Sequence, residues 1–272
     1  MSALRVLAPG FVTTVQDLGR FGHGELGVSA AGAADPLALR LGNRLLGNPE
    51  GAAALEQEAA AGQTLSVGPT REGARTYLCV RGGIEVPRVL GSASTHLLTG
   101  IGGVEGRALR SGDVLGMGPV PSGTVRSLDL QRLRALRERG PVRFTAGAQA
   151  EWFAPDAHAL LGDTEWRVLE GSDRTGLRLA GPTLPRRVSG ELLTEGAPLG
   201  AIQVPPQGGP IVLFVDHQTT GGYPKIANVI AADLFRLGQL RPRDVLCLAP
   251  VELEEARAIL LRQEEAIDAL LG

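Results

Sequence analysis

The stretch GAIQVPPQGGPIVLFVDHQTTGGYPKIANVI, residues 200–230, decides how this chain is read. GAIQV and PIVLFV are short apolar runs rich in β-branched residues and bounded by Gly and Pro, so they predict two strands. The second run ends in a dense polar cluster of Asp216, His217, Gln218, Thr219 and Thr220. Gly221 and Gly222 then permit a tight turn or a close approach of backbone to a ligand. Pro224 keeps Tyr223 extended, and Lys225 opens a further apolar run, IANVI. A polar cluster at the end of a buried strand either faces solvent or lines a cleft.

Lys225 is the single lysine of the chain, and the other 26 basic residues are arginine. An ammonium is a compact point charge on a flexible stem, whereas a guanidinium is a wide planar fork. A narrow recess excludes the fork and keeps the lysine. Lys225 is therefore a candidate for holding a carboxylate, carbonyl or phosphoryl oxygen on which charge develops, with His217 as proton-transfer partner. The competing reading is an Asp216–Lys225 ion pair across a hairpin, a modest contribution to stability. The decapeptide alone leaves both open.

Outward from this segment, further short apolar runs predict strands at 4–7, 75–81, 113–117, 142–145, 165–170 and 244–248. Helical signals are fewer. DPLALRLGNRLLGNP (35–49) has Asp35 as N-cap, Pro36 at the first helical position, Leu37, Leu41 and Leu45 in one stripe, and Gly47-Asn48-Pro49 as a stop. Residues 251–272 carry acids in the first turn and set Leu253, Ala256, Ile259 or Leu260, Ile267 and Leu270 on one face. The charged stretch 128–140 reads as helix or linker. Composition shifts there, which sets a domain boundary near 134–141 and two domains, 1–135 and 142–272. LRSGDVLGM (109–117) echoes LRPRDVLCL (240–248), a sign of two related β-rich halves.

Net charge is −2 and no basic run occurs, so neither nucleic acid nor a membrane surface is an expected partner. No apolar run reaches the roughly 18 residues of a membrane span, and the N-terminus lacks the pattern of a signal peptide. Cys79 and Cys247 lie in apolar runs and are expected to be reduced, buried thiols on strands, in keeping with a cytoplasmic protein. The four histidines are too scattered to predict a metal site. No Walker-type loop, HExxH, CxxC or GxSxG is present. Lys225 lacks the methionine neighbour of a biotin-carrier lysine, so no covalent biotin is expected on this chain.

A second polar cluster, TTVQDLGRFGHGELG (13–27), offers Gln16, Asp17, Arg20 and His23 among glycines. The helix start at Asp35–Pro36 follows, and its free N–H groups are a candidate anion site; a surface loop with a capped helix is the alternative. GSDRTGLRL (171–179), with Ser172, Asp173 and Arg174, and the glycine-rich 90–109 are weaker candidates of the same kind.

PGFVTTVQDLGRFGHGELGV, GAADPLALRLGNRLLGNP, LGSASTHLLTGIGGVEGRALRSGDVL, GSDRTGLRL and GAIQVPPQGGPIVLFVDHQTTGGYPKIANVIAADLFRLGQLRP together resemble the KipA family, which comprises the 5-oxoprolinase C subunits and is also called allophanate hydrolase subunit 2 or biotin-dependent carboxyltransferase-like. The resemblance implies a mainly β fold of two cyclophilin-like β-barrel units with a few helices. It implies two partner chains, one KipI-like and one LamB/YcsF-like. With them the family opens the lactam 5-oxoproline to glutamate at the expense of ATP, which the resemblance leaves free to bind at a partner interface. Related carboxyltransferase domains move a carboxyl group from biotin to urea, and a non-catalytic antagonist of a kinase inhibitor is a third role. Carried over by motif, Lys225, His217, Gln218 and Tyr223 are the expected catalytic residues, and Gln16, Asp17, Arg20, Ser172, Asp173 and Arg174 bind substrate. One departure stands out: after AALEQE (53–58) this chain passes at once to AAAGQTLSVG, where the family continues for dozens of residues. The first barrel is thus expected to be shortened.

Overall fold

The computed structural model describes residues 3–57, 72–137, 140–188, 190 and 192–270. The chain divides into two compact units. One takes in Met1–His23, Ala30–Leu133 and Ala269–Gly272, the other Gly24–Ser29 and Arg134–Asp268. The fold is mainly β, with five α-helices among the described residues, including the expected C-terminal one.

The first unit holds β1 (Ala3–Arg5), β2 (Thr13–Gln16), α1 (Pro36–Leu45), β3 (Ala54–Gln57), β4 (Thr76–Leu78), β5 (Ile84–Glu85) and β6 (Val114–Met117), with α2 (Leu130–Leu136) following. Its strands form two antiparallel three-stranded sheets, β1-β6-β5 and β2-β3-β4. Val15, Leu55, Ile84, Leu109 and Leu115 make a shared core, so the sheets bury their apolar faces together. The predicted shortening and the AGQTLSVG turn fall in 58–71, outside the described residues. The cap of α1 is as expected, with Asp35 Oδ1 accepting from the Ala38 amide at 2.8 Å. The buried stripe differs: Leu37, Leu39, Leu41 and Asn43 face inward. Asn43 belongs there because its amide donates to the carbonyls of Glu50 and Ala52, at 3.1 and 2.7 Å.

The second unit holds β7 (Val142–Ala146), α3 (Pro155–Asp163), β8 (Trp166–Val168), β9 (Gly176–Ala180), β10 (Glu195–Gly196), β11 (Ala201–Gln203), β12 (Ile211–Leu213), β13 (Thr220–Gly221), β14 (Lys225–Val229), α4 (Leu234–Leu237), β15 (Val245–Leu246), β16 (Leu248–Pro250) and α5 (Leu253–Ala269). Eight of these strands form one sheet in the order β15-β8-β9-β12-β11-β14-β7-β16. Its two edges, β15 and β16, are successive pieces of chain separated by Cys247 alone. The sheet therefore curls until one continuous segment serves as both edges, and the backbone itself closes the barrel. Counted around the ring there are seven strand directions, and an odd ring cannot alternate throughout. One parallel pair is obligatory, and β7 with β16 supplies it. β10 and β13 stand outside the barrel as a separate two-residue ribbon.

α5 buries Ala256, Ile259 and Ile267; Ala256 and Ile259 pack on Ile230 and Ala232. Leu253, expected on that face, is the first residue of the helix and is 72% exposed. The two cysteines are free but only half-buried, and neither lies within a strand: Cys79 follows β4 and Cys247 joins β15 to β16. Burial nevertheless pushes the Cys79 thiol up to about 11.

The sequence echo is one turn used twice. Asp113 accepts from the Arg110 amide at 2.7 Å, and Asp244 accepts from the Arg241 amide at 2.9 Å. The residue before each aspartate is left-handed, Gly112 at φ +94° and Arg243 at φ +75°. The strand that follows each turn also pairs in the same way, β6 antiparallel to β1 and β15 antiparallel to β8, with Gly112 and Asp113 bonded to Val6 as Arg243 and Asp244 are bonded to Val168. The echo thus marks a turn together with the antiparallel strand pair that it feeds.

Candidate functional site

Lys225 begins β14, and a chain of local decisions fixes it there. After β7, a Cβ on Gly147 would lie 2.3 Å from the Lys225 carbonyl oxygen, so only glycine lets this loop cross β14. The crossing puts Gln149 on the lysine backbone. Its amide donates to the Lys225 carbonyl at 3.1 Å, and its side-chain Oε1 accepts from the Lys225 amide at 3.1 Å. On the other side Gln203 is the Cα partner of Lys225 across β11 and β14, next to a bulge between Ile202 and Gln203. Directly opposed residues share a sheet face, so Lys225 and Gln203 start from the same side.

The Lys225 side chain is 4% exposed, and its Nζ lies 2.5 Å from Glu195 Oε1. The same oxygen accepts from Gln149 Nε2 at 2.8 Å. The Lys225 ammonium, followed by the Gln149 amide, holds the Glu195 carboxyl below the usual carboxylate range. Glu195 sits on the β10–β13 ribbon, where its Cα partner is Gly221. A Cβ on Gly221 would come within 2.9 Å of Gln203 Nε2. Gln203 Oε1 accepts from Gln218 Nε2 at 3.3 Å, while Gln203 Nε2 is buried without an acceptor. Lys225 and Gln149 thus converge on Glu195, while Gln203, opposite Lys225 across the sheet, accepts from Gln218 and leaves its own amide nitrogen unpartnered among the described residues.

The Asp216–Lys225 pair considered from sequence does not form. Asp216 is clamped by Arg174, Nε to Oδ2 at 2.8 Å and Nη2 to Oδ1 at 3.0 Å, and the Asp216 amide donates to the Arg174 carbonyl at 2.8 Å. This lock holds the turn bearing His217, which is buried. His217 Nδ1 is 2.6 Å from the Gln218 carbonyl oxygen. A carbonyl only accepts, so Nδ1 carries the proton and the neutral ring keeps its lone pair on Nε2. Burial, opposed by the Gln218 carbonyl and Asp216, shifts the His217 pKa below its usual value. A neutral imidazole with a free Nε2 is suited to accepting a proton. Tyr223 is 44% exposed in the turn between β13 and β14.

The residues expected to bind substrate are placed differently. Ser172 and Asp173 shape the β8–β9 turn: Ser172 Oγ accepts from the Arg178 amide at 3.0 Å, and Asp173 Oδ1 accepts from the Thr175 amide at 2.7 Å. Arg174 acts through Asp216. In the first unit Gln16, Asp17 and Arg20 are all buried. Asp17 gathers Ser92 Oγ, Ser94 Oγ and the amides of Ala93 and Gly19, at 2.6 to 2.8 Å. Burial alone would raise its pKa, and these four hydrogen bonds outweigh burial and lower it. Gln16 donates to the Thr95 carbonyl at 3.0 Å, and Arg20 Nη2 donates to the Ser94 carbonyl. These three side chains organise the 89–95 loop. At the start of α1 Asp35 accepts the Ala38 amide, and just before the helix Glu56 Oε2 accepts the Ala34 amide at 2.9 Å, so two carboxylates stand where an anion was expected.

Sequence reasoning missed Glu195, Gln149 and Gln203. Gln203 had a signal, a lone amide inside the apolar run AIQV. Glu195 and Gln149 had none, since their role depends on loops distant in the chain.

A family model described as the carboxyltransferase domain, subdomain A and B, matches residues 26–60 and 56–250. The chain belongs to this family. The two matched segments of the carboxyltransferase domain meet at residues 56–60, where AALEQE passes directly into AAAGQTLSVG. The chain is 36% identical to the 5-oxoprolinase C subunit of Haemophilus influenzae, over 94% of either protein. That alignment runs over 306 positions against a chain of 272 residues, so the relative carries segments that this carboxyltransferase domain lacks. Identity to the Escherichia coli 5-oxoprolinase C subunit is also 36%, over 93% of both. Among solved structures, Kluyveromyces lactis urea carboxylase superposes with a TM-score of 0.88 at 28% identity, covering 98% of this chain and 29% of that one.

Proposed function

We propose that this chain is the C subunit of an ATP-dependent 5-oxoprolinase, acting with a KipI-like chain and a LamB/YcsF-like chain in the cytoplasm. The supporting observation is 36% identity to two 5-oxoprolinase C subunits across 93–94% of each protein. 5-Oxoproline joins a lactam carbonyl to a carboxylate. Opening the ring places negative charge on the carbonyl oxygen, and the Lys225 ammonium with the surrounding glutamine amides is suited to receive it. His217 Nε2 is suited to take the proton of the attacking water. ATP supplies the driving force by activating the carbonyl. The donors around Lys225 suit a carboxylate or carbonyl oxygen, and the carboxylates of Asp35 and Glu56 at the start of α1 disfavour phosphate there. Nucleotide binding is accordingly assigned to the assembled complex.

A second reading has its own support. The similarity to urea carboxylase at a TM-score of 0.88 favours transfer of a carboxyl group from a biotin carried on another chain. Reconstitution separates the two. The three chains together should release glutamate from 5-oxoproline only with ATP, and Lys225→Ala should lower the rate at least about 100-fold while the complex still assembles. No glutamate, but carboxylation of a small amide from carboxybiotin, replaces the first reading with the second. Full activity of Lys225→Ala removes the role given to the lysine.

A further inference from the structure

Glu195 Oε1 lies 2.5 Å from Lys225 Nζ as an ion pair and accepts a hydrogen bond from Gln149 Nε2 at 2.8 Å, while the buried ammonium makes no well-aligned hydrogen bond of its own among the described residues. One oxygen held by an ammonium and an amide is the arrangement expected for a bound substrate oxygen. Glu195 brings that oxygen in from outside, for its side chain is 40% exposed while that of Lys225 is 4% exposed. Its support is slight. It rides on the two-residue β10–β13 ribbon, whereas Lys225, Gln203 and the Gln149 loop are tied to the closed barrel. Moving Glu195 therefore breaks few backbone bonds. Next to it, Gln203 Nε2 is buried and lacks an acceptor, close to the Cα partner of Glu195. A buried N–H without a partner is costly, and an oxygen-bearing ligand would supply one.

We infer that Glu195 is a resident placeholder: its carboxylate occupies the position of a substrate oxygen on Lys225, and a small carboxylate- or amide-bearing anion must displace it to bind. The inference rests on the functional reading of the Lys225 cluster. Glu195 neutralises the buried ammonium while the site is empty, and the incoming anion takes over as counter-ion and supplies an acceptor to Gln203. Neutral molecules gain less from the exchange because they leave the ammonium unpaired, so Glu195 also selects for charge.

The single lysine makes the test direct, because the full chain labelled with ¹⁵N-lysine carries one side-chain ammonium to observe. 5-Oxoproline and, separately, acetate are titrated into the native chain, Glu195→Gln and Glu195→Asp, following that signal and the heat of binding. Glu195→Gln keeps an oxygen for Gln149 and removes the competing charge. It is expected to bind acetate at least about five-fold more tightly than the native chain, with Glu195→Asp in between. Equal or weaker binding by Glu195→Gln, with its melting temperature unchanged, overturns the placeholder and makes Glu195 a support for the lysine. Tighter acetate binding without any response to 5-oxoproline upholds the placeholder and counts against the 5-oxoprolinase reading.

Discussion

Arg174 holds Asp216 in a two-point grip, Nε to Oδ2 at 2.8 Å and Nη2 to Oδ1 at 3.0 Å, and the pair decides which acid Lys225 does not meet. With Asp216 committed, the lysine pairs with Glu195. Both members of the Arg174–Asp216 pair are largely buried, so removing one leaves the other charge uncompensated. Arg174→Ala is expected to cost about 3 kcal/mol of stability, read as a lower urea midpoint. Arg174→Lys restores little of this, because an ammonium cannot make the two-point contact.

His217 is expected to titrate below its usual 6.5 in the folded chain, since burial disfavours the imidazolium. Between the folded and unfolded pKa values the unfolded chain binds more protons, so stability rises with pH in that window. As pH falls below 6.5, this contribution is lost until the folded pKa is passed. NMR titration of the ring, with urea midpoints between pH 5 and 8, checks both statements; a ring that titrates above 6.5 refutes them.

Lys225 should resist chemistry that ordinary lysines undergo. An amine-acylating reagent is expected to modify only the α-amino group of the native chain, and Lys225 only after unfolding, because the side chain is 4% exposed beside Glu195. Mass spectrometry of the peptide holding Tyr223–Lys225 reads the outcome. Lys225→Arg should fail to restore turnover lost in Lys225→Ala, since a planar guanidinium presents its donors in a different geometry from a compact ammonium.

Arg243 holds the left-handed position that Gly112 holds in the matching turn. The left-handed conformation costs an L residue about 1–2 kcal/mol, and glycine gives back part of this in unfolded-chain entropy. Arg243→Gly is therefore expected to raise stability by about 0.5 kcal/mol, even though it removes an exposed contact with Glu170. Gly112→Ala should lower it. Matched urea curves give both signs.

Much of the fold can be read along the chain. The runs at 200–204, 211–215 and 142–145 become β11, β12 and β7, and Asp35–Pro36 starts α1. β2 and β3 escaped notice because TTVQ and ALEQ mix polar and apolar residues without clear alternation. They are strands because Thr13, Thr14 and Gln16, although polar, are buried and bonded across the unit. The same kind of side chain leaves two readings open for the second cluster. Gln16, Asp17 and Arg20 are polar residues among glycines, a pattern shared by binding loops and by buried hydrogen-bond networks. Composition cannot separate the two, since both need donors and acceptors without bulk.

By itself the sequence determined that a lone ammonium would stand just beyond a strand-ending polar turn, because local rules for strands, prolines and glycines act over a few residues. Only tertiary structure decided its company. Glu195 lies 30 positions before Lys225 and Gln149 lies 76 before it, and an ammonium takes as counter-ion whichever carboxylate the folded backbone brings within about 4 Å. Barrel closure through β15 and β16 was likewise invisible, since it depends on a ring of strands and on no single segment.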